Sequence, residues 1–413
     1  MSDEAVAAVA EAHRREWARI VATTALLTRD LDLAEECAQD AYAQALRVWA
    51  RSGVPDRPGA WLTEVARNGA RDVLRREARF RRALPLLVTD GTVPGPEDAL
   101  AADDRLRLIF TCCHPALDRA TRVALTLRLV SGLSTAEVAR AFLVREATMA
   151  ARITRAKRKI ATARIPYRVP SPDQLGARVD AVLQVVHLIY TTGHTAPDGP
   201  RLVRRDLCRS AVDLARLLHL LMPSDTAVGG LLALMLLNEA RAAGRVGPDG
   251  RLRLLAEQDR SLWDATLIAE GTALLSDALR RGAPTRYAVE AAVAAVHAEA
   301  PSWDDTDWEE IVGLYGVLRT MWPSPVVDLN RAAAVGMRDG PQAGLDALEP
   351  LLNEPALATY PYLSAARADF LRRLERLPEA ATAYEEALAL TANAVERAHL
   401  ADRLDEVRHS PGG

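Results

Sequence analysis

The sequence predicts an all-α protein of several domains. Ala, Leu and Arg dominate while Ile, Tyr and Phe are thin, which favours helix over strand by intrinsic propensity. Apolar residues recur at the spacing of an amphipathic helix through most of the chain. With 413 residues, 49% of them apolar, the chain exceeds one ordinary core and suits two to four domains of about 100–200 residues each.

Helical spacing in residues 3–82 breaks at Thr28-Arg29-Asp30 and at Ser52-Gly53-Val54-Pro55-Asp56-Arg57-Pro58, giving three helices and one rigid loop. Residues 85–98 carry Pro85, Gly91, Pro94, Gly95 and Pro96, whose backbone demands exclude a continuous helix, so they read as a linker. The helical pattern resumes near Asp98 and runs to Ile165. A second, proline-rich linker covers 166–172. Further helices follow, punctuated at 194–200, 222–225, 244–250, 281–284 and 322–325. Near the end, Asn330-Arg331-Ala332…Gly340-Pro341 and Ala366-Arg367-Ala368…Leu377-Pro378 repeat about 36 residues apart, as paired Ala-rich helices of tetratricopeptide type do. The expected domains are 1–84, the linker 85–98, 99–165, a helical extension 172–324, and tetratricopeptide-like hairpins 325–409.

The formal charge of −3 conceals an asymmetry. Residues 1–165 hold 27 Arg or Lys against 21 Asp or Glu, whereas 166–413 hold 25 against 34. The basic excess is concentrated in 101–165, with 13 against 5. A cationic helical segment is the electrostatic footprint of a nucleic-acid partner, so DNA is expected on the N-terminal third.

The sharpest local pattern spans 133–160. Ser134 caps a helix, with Glu137 completing a capping box and Val138, Ala139 and Phe142 on its buried face. A tight turn at Leu143-Val144 opens a second helix, which is helix-turn-helix spacing. In that second helix Met149, Ile153 and Ile160 face inward. Arg145, Thr148, Arg152, Arg155 and Arg158 fall on the outer face, where a helix in the major groove meets base edges and phosphates.

A second constellation joins the acidic helix AEECAQDAYAQAL at 34–46, the loop at 52–58, and a helix from Ala60. On that last helix Leu62, Val65, Ala66, Gly69 and Val73 form an apolar stripe, while Trp61, Glu64, Asn68, Arg71 and Arg75 form a polar one. Together with the later helix-turn-helix, and in the same order and separation, these motifs resemble regions two and four of extracytoplasmic-function (ECF) RNA polymerase sigma factors. The likeness covers about residues 10–165.

What the resemblance implies is carried by particular residues. Glu35, Glu36, Gln39 and Asp40 match the helix that docks on core RNA polymerase at its clamp, and the helix-turn-helix domain matches the part that meets the flap. Ser52, Val54 and Asp56 of the loop, with Asn68, match the pocket that captures a base flipped from the −10 element, with Arg71, Arg75 and Arg76 on phosphates. Trp61 reads as core packing in preference to a melting wedge. Arg145, Thr148, Arg152, Arg155 and Arg158 match the −35 reader, where Ala150 and Ala151 replace the longer side chains common in the family. The linker, with Asp90, Glu97 and Asp98, would thread toward the polymerase cleft. The extension resembles that of a sigma subgroup ending in tetratricopeptide-like repeats, through 230–241, 257–263, 306–308 and 323–332. There Gln258-Asp259-Arg260 beside Trp263 reads either as a functional surface or as a polar staple between helices.

No nucleophile–base pair, phosphate loop or cofactor motif stands out, so no enzyme activity and no cofactor are expected. Cys37, Cys112, Cys113 and Cys208 lack framework or metal-ligand spacing and read as buried thiols. A cytoplasmic chain without membrane partners follows from the absence of a leader or a long apolar run. The expected function is promoter recognition with core polymerase, modulated by intramolecular contact with the extension. The rival is a DNA-binding regulator whose tetratricopeptide-like scaffold senses a ligand or peptide.

Overall fold

The helix breaks of the first 83 residues fall where cap chemistry puts them. In the computed structural model, which describes residues 3–83, 104–142 and 144–409, α1 (Asp3–Thr28) gives way to α2 (Leu31–Ser52) at Asp30. The Asp30 carboxylate accepts from the N–H groups of Asp32 and Leu33 at 2.7 and 3.1 Å, donors that a first helical turn cannot satisfy internally. Gly53, at φ +81°, ends α2 and returns its N–H to the Trp49 carbonyl at 3.1 Å. Pro58, lacking an N–H, opens α3 (Pro58–Ala83).

These three helices bury Trp17, Ile20, Ala38, Trp49, Leu62, Ala66 and Ala70 in one bundle core. On α3 the buried stripe is Leu62, Ala66 and Ala70, at strict four-residue steps. Gly69, assigned to the core by its spacing, is exposed, because a stripe this narrow excludes the neighbouring position. Trp61 packs edge-on against Trp49 with ring centroids 5.6 Å apart, the core role expected of it.

The helical pattern of residues 104–165 resolves into four helices and one wide turn. α4 (Asp104–Cys112) and α5 (Arg119–Leu125) lead into a π-helical turn at Thr126–Val130, then α6 (Thr135–Ala141) and α7 (Glu146–Thr162). Asp118 caps α5, accepting from the Thr121 N–H and hydroxyl at 2.9 and 2.6 Å, which holds its carboxyl below the usual range. The π turn inserts one residue per turn relative to an α-helix, so Leu127 and Leu129 are buried while Arg128 leaves along another direction. Cys112 and Cys113 are both fully buried, and burial pushes the Cys113 thiol up to about 11. The linker positions Asp90, Glu97 and Asp98, and Leu143 of the tight turn, lie outside the described residues.

Residues 1–188 form one compact unit and 189–413 a second, the division falling inside α8 (Pro172–His194). The second unit is built around α10 (Thr226–Glu239), whose residues from Val228 to Leu237 are all buried. A helix apolar on every side belongs in the middle of a layer. Accordingly α9 (Arg205–Leu221), α11 (Ala265–Arg281) and α12 (Arg286–Glu299) all pack on it. Then come α13 (Trp308–Met321), α14 (Pro325–Arg338), α15 (Pro341–Leu348), α16 (Pro361–Arg373), α17 (Leu377–Leu390) and α18 (Ala394–His409), each packing on the next. The fold is all-α, as expected, with a helical C-terminal extension. Among the described residues the β structure is limited to a two-residue parallel pairing, Asp198–Gly199 with Ala392–Asn393, and an isolated antiparallel bridge between Val246 and Leu252. Buried Asn393 anchors the parallel pairing, donating to the carbonyls of Ala196 and Arg201 at 3.0 and 2.9 Å and accepting from Val395 N–H at 3.0 Å.

Arg260 has the geometry of a staple. Its Nη1 donates to the carbonyls of His297 and Ala300, both at 2.7 Å, at the C-terminal end of α12, while its guanidinium lies 4.5 Å from the Trp263 ring centre. His297 stacks with Trp303 beside these arginines; burial, then Arg241 and Arg260, push its pKa down to about 4. The unfolded imidazole titrates near 6.5, so the unfolded state binds the extra proton first. His297 therefore costs no stability above about pH 6.5 and destabilises the second unit progressively down to pH 4, by up to about 3 kcal/mol. We expect His297→Gln to flatten that part of the stability–pH profile in denaturant titrations between pH 7 and 4; an unchanged slope would contradict this account.

Candidate nucleic-acid interface

Two exposed polar faces lie on the first unit. The first is built on α6 and α7. Ser134 accepts from Glu137 N–H at 3.2 Å while the Glu137 carboxylate takes the Ser134 N–H at 2.7 Å, the reciprocal box anticipated from the sequence. Val138 and Ala139 are buried under α6, and Met149, Ile153 and Ile160 under α7. That packing turns Arg145, Thr148, Arg155 and Arg158 to solvent. Arg152 is half-buried with its guanidinium over the Phe142 ring at 5.5 Å. Ala150 and Ala151 are exposed between these cations. A single helix thus presents a row of guanidinium groups, with Arg155 Nε donating to the Ala151 carbonyl at 3.2 Å, and its sequence holds no acidic residue after Glu146.

The second face comprises the loop after α2 and one side of α3. Ser52, Val54, Asp56, Asn68, Arg75 and Arg76 are exposed. Arg71 is half-buried and donates to Asn68 Oδ1 at 3.1 Å, which orients the amide. Arg75 stands 3.7 Å from Asp72, and Arg76 Nε donates to the Asp72 carbonyl at 3.4 Å. The contacts of Arg75 and Arg76 are loose surface contacts of small individual worth.

The acidic helix α2 divides its four singled-out residues. Glu36, Gln39 and Asp40 are exposed, whereas Glu35 is buried. Glu35 Oε2 lies 2.5 Å from Lys157 Nζ, its Oε1 is paired with Arg128, and Gln39 Nε2 donates to Oε1 at 3.1 Å. Lys157 also reaches Asp32 at 2.8 Å. Asp32, Arg128 and Lys157 escaped the sequence reading, yet a signal was present. Lys157 continues the four-residue stripe of Met149 and Ile153, and Glu35 sits between Leu31, Ala34 and Ala38 on the buried side of α2. A charge on an apolar stripe requires a partner.

The same seam holds further contacts. Arg128 lies over the Trp17 ring at 5.7 Å, and Thr23 Oγ1 donates to Asp104 at 3.3 Å. The Tyr167 hydroxyl donates to the Ala22 carbonyl at 2.9 Å. Gly132, at φ +73°, lets the chain pass close to His13 and Trp17, where an added Cβ would lie 3.0 Å from both rings.

Among the described residues no His, Cys, Asp and Glu cluster has metal-binding geometry, and no helix is long and apolar enough to cross a membrane.

Comparison with known proteins adds the family. Residues 9–80 match region 2 of the sigma-70 family and 107–160 match its region 4; residues 178–279 match a family of unknown function, DUF6596. An uncharacterized protein of Rhizobium meliloti (strain 1021) is 44% identical over 391 residues, 93% of this chain and 92% of that protein. No solved structure matches. The two matched regions coincide with the two polar faces, and the full-length likeness extends through the helical extension: the chain belongs to the sigma-70 family, with that family's role in promoter recognition.

Proposed function

We propose that the protein is a sigma factor of the extracytoplasmic-function type, which binds core RNA polymerase in the cytoplasm, reads both promoter elements and opens DNA without covalent chemistry. The observation that carries this reading is the pairing, on one compact unit, of a cationic helix-turn-helix face with the exposed Asn68–Arg71 face beside a polar loop. On this reading Arg145, Thr148, Arg152, Arg155 and Arg158 contact the −35 element. Ser52, Val54, Asp56 and Asn68 hold the flipped −10 base, and Arg71, Arg75 and Arg76 hold phosphates. Glu35, Glu36, Gln39 and Asp40 dock on the polymerase clamp.

The extension, with tetratricopeptide-like hairpins from α14 onward, modulates that activity from within the same chain. Its helix pairs begin at Pro325 and Pro361, which supports a repeated hairpin unit. Affinity for core polymerase in the absence of DNA tests the reading. Submicromolar binding of the full chain is expected. A DNA-binding regulator of another kind needs no such affinity, so its absence would favour that rival.

A further inference from the structure

We propose that Lys157 and Arg128 lock the promoter-reading domain onto the polymerase-docking helix, so that the free chain holds itself closed and polymerase must displace them. The proposal deepens the sigma-factor reading and rests on it.

The lock is a network of four charges, two of each sign. Side-chain exposure is 7% for Lys157, 9% for Glu35 and 12% for Arg128, whereas Asp32 keeps 64% and forms its solvent edge. Glu35 has both carboxylate oxygens engaged, one by each cation. Arg128 is fixed from its other side by donating to the Leu133 carbonyl at 2.8 Å. Glu36 and Gln39 line an open cleft with Ala150, Ile153 and Thr154, so one side of α7 lies along the acidic face of α2.

An acidic docking face calls for a cationic partner surface. Lys157 and Arg128 already fill that role for Glu35, and one carboxylate cannot serve both at once. The chemistry suits a reversible device. A buried ion pair gains little over separately hydrated ions, because the desolvation cost offsets the Coulomb attraction, yet removing one partner alone leaves an uncompensated buried charge. Opening that returns both partners to water is therefore cheap, and opening onto polymerase exchanges one set of cations for another. The outer face of α7, with Arg155 and Arg158, stays exposed in the closed form. The lock therefore withholds polymerase docking and the spacing of the two DNA faces rather than the cations themselves.

The test is carried out on the full chain. Thr23→Cys with Asp104→Cys places a disulfide across the other end of the seam, where the native side chains touch at 3.3 Å. The native cysteines are buried and stay out of the reaction. The oxidised chain is expected to bind core polymerase at least about tenfold more weakly than the same chain reduced. Lys157→Glu is expected to bind more tightly than wild type by a similar factor and to lower energy transfer between dyes placed at Gln44→Cys and Thr162→Cys. Should Lys157→Glu lose its helical circular dichroism signal, the oxidised–reduced comparison decides alone. Equal affinity of oxidised and reduced chains overturns the lock while leaving the polymerase reading intact. No affinity in wild type or in any variant overturns both.

Discussion

Replacing Arg152, Arg155 and Arg158 together by alanine is expected to reduce promoter-specific initiation about 100-fold, from the loss of three DNA contacts worth about 1 kcal/mol each. The three residues follow one another at steps of three on the outer face of α7, opposite the buried Met149, Ile153 and Ile160. Phosphate contacts release counterions, so the slope of log affinity for promoter DNA against log salt should fall by about three in the triple variant. Core polymerase binding without DNA should hold, because none of the three touches α2. Arg152 also covers Phe142, so its removal carries a structural part that thermal melting of the triple variant reads separately. A change in initiation of less than threefold, with an unchanged salt slope, would remove α7 as the promoter reader.

Leu236→Asp is expected to unfold the second unit. Leu236 is 1% exposed, within the run of α10 from Val228 to Leu237 whose residues are all buried. Leu236→Ala at such a site costs about 3 kcal/mol, and burying an unpaired charge costs more, enough to consume the stability of an ordinary domain. Limited proteolysis should then digest residues beyond about 189 while a fragment near 1–188 survives, since the first unit has its own core. Promoter activity of that variant assigns the extension its sign. Higher activity marks an inhibitor, and loss marks a part required for engagement. Cooperative unfolding of the variant at the wild-type temperature would contradict the central position given to α10.

The parts of the fold that local chemistry decides were legible in the sequence. Ser134 and Glu137 announce their capping box three residues apart, Asp30 and Gly53 punctuate α2, and helices of the second unit end at His194, Leu221, Arg281 and Met321, at the breaks read from Gly, Pro and polar clusters. The irregular stretch from Ala240 to Asp264 ran longer than its glycines indicated. The break at 300–307 was missed despite Pro301 and the acidic residues after it. Least legible was the difference between Glu35 and Glu36. Adjacent carboxylates on an acidic helix look alike in a sequence, and what separates them is a lysine 122 positions away that meets only one of them. The cationic face of α7 was readable because its residues share one helix. The seam was not, because it joins helices from both matched regions, and only the charges at Glu35 and Lys157 on otherwise apolar stripes pointed to it.

The most direct measurement of the central claim is transcription in vitro from purified core polymerase supplemented with the full-length chain, on a library of randomised promoter sequences with transcripts sequenced at their 5′ ends. The account predicts new start sites that appear only with the chain present, share two sequence elements at fixed spacing, and disappear with the Arg152, Arg155 and Arg158 triple variant. Core polymerase that starts at the same positions with and without the chain, wild type and Lys157→Glu alike, would contradict it.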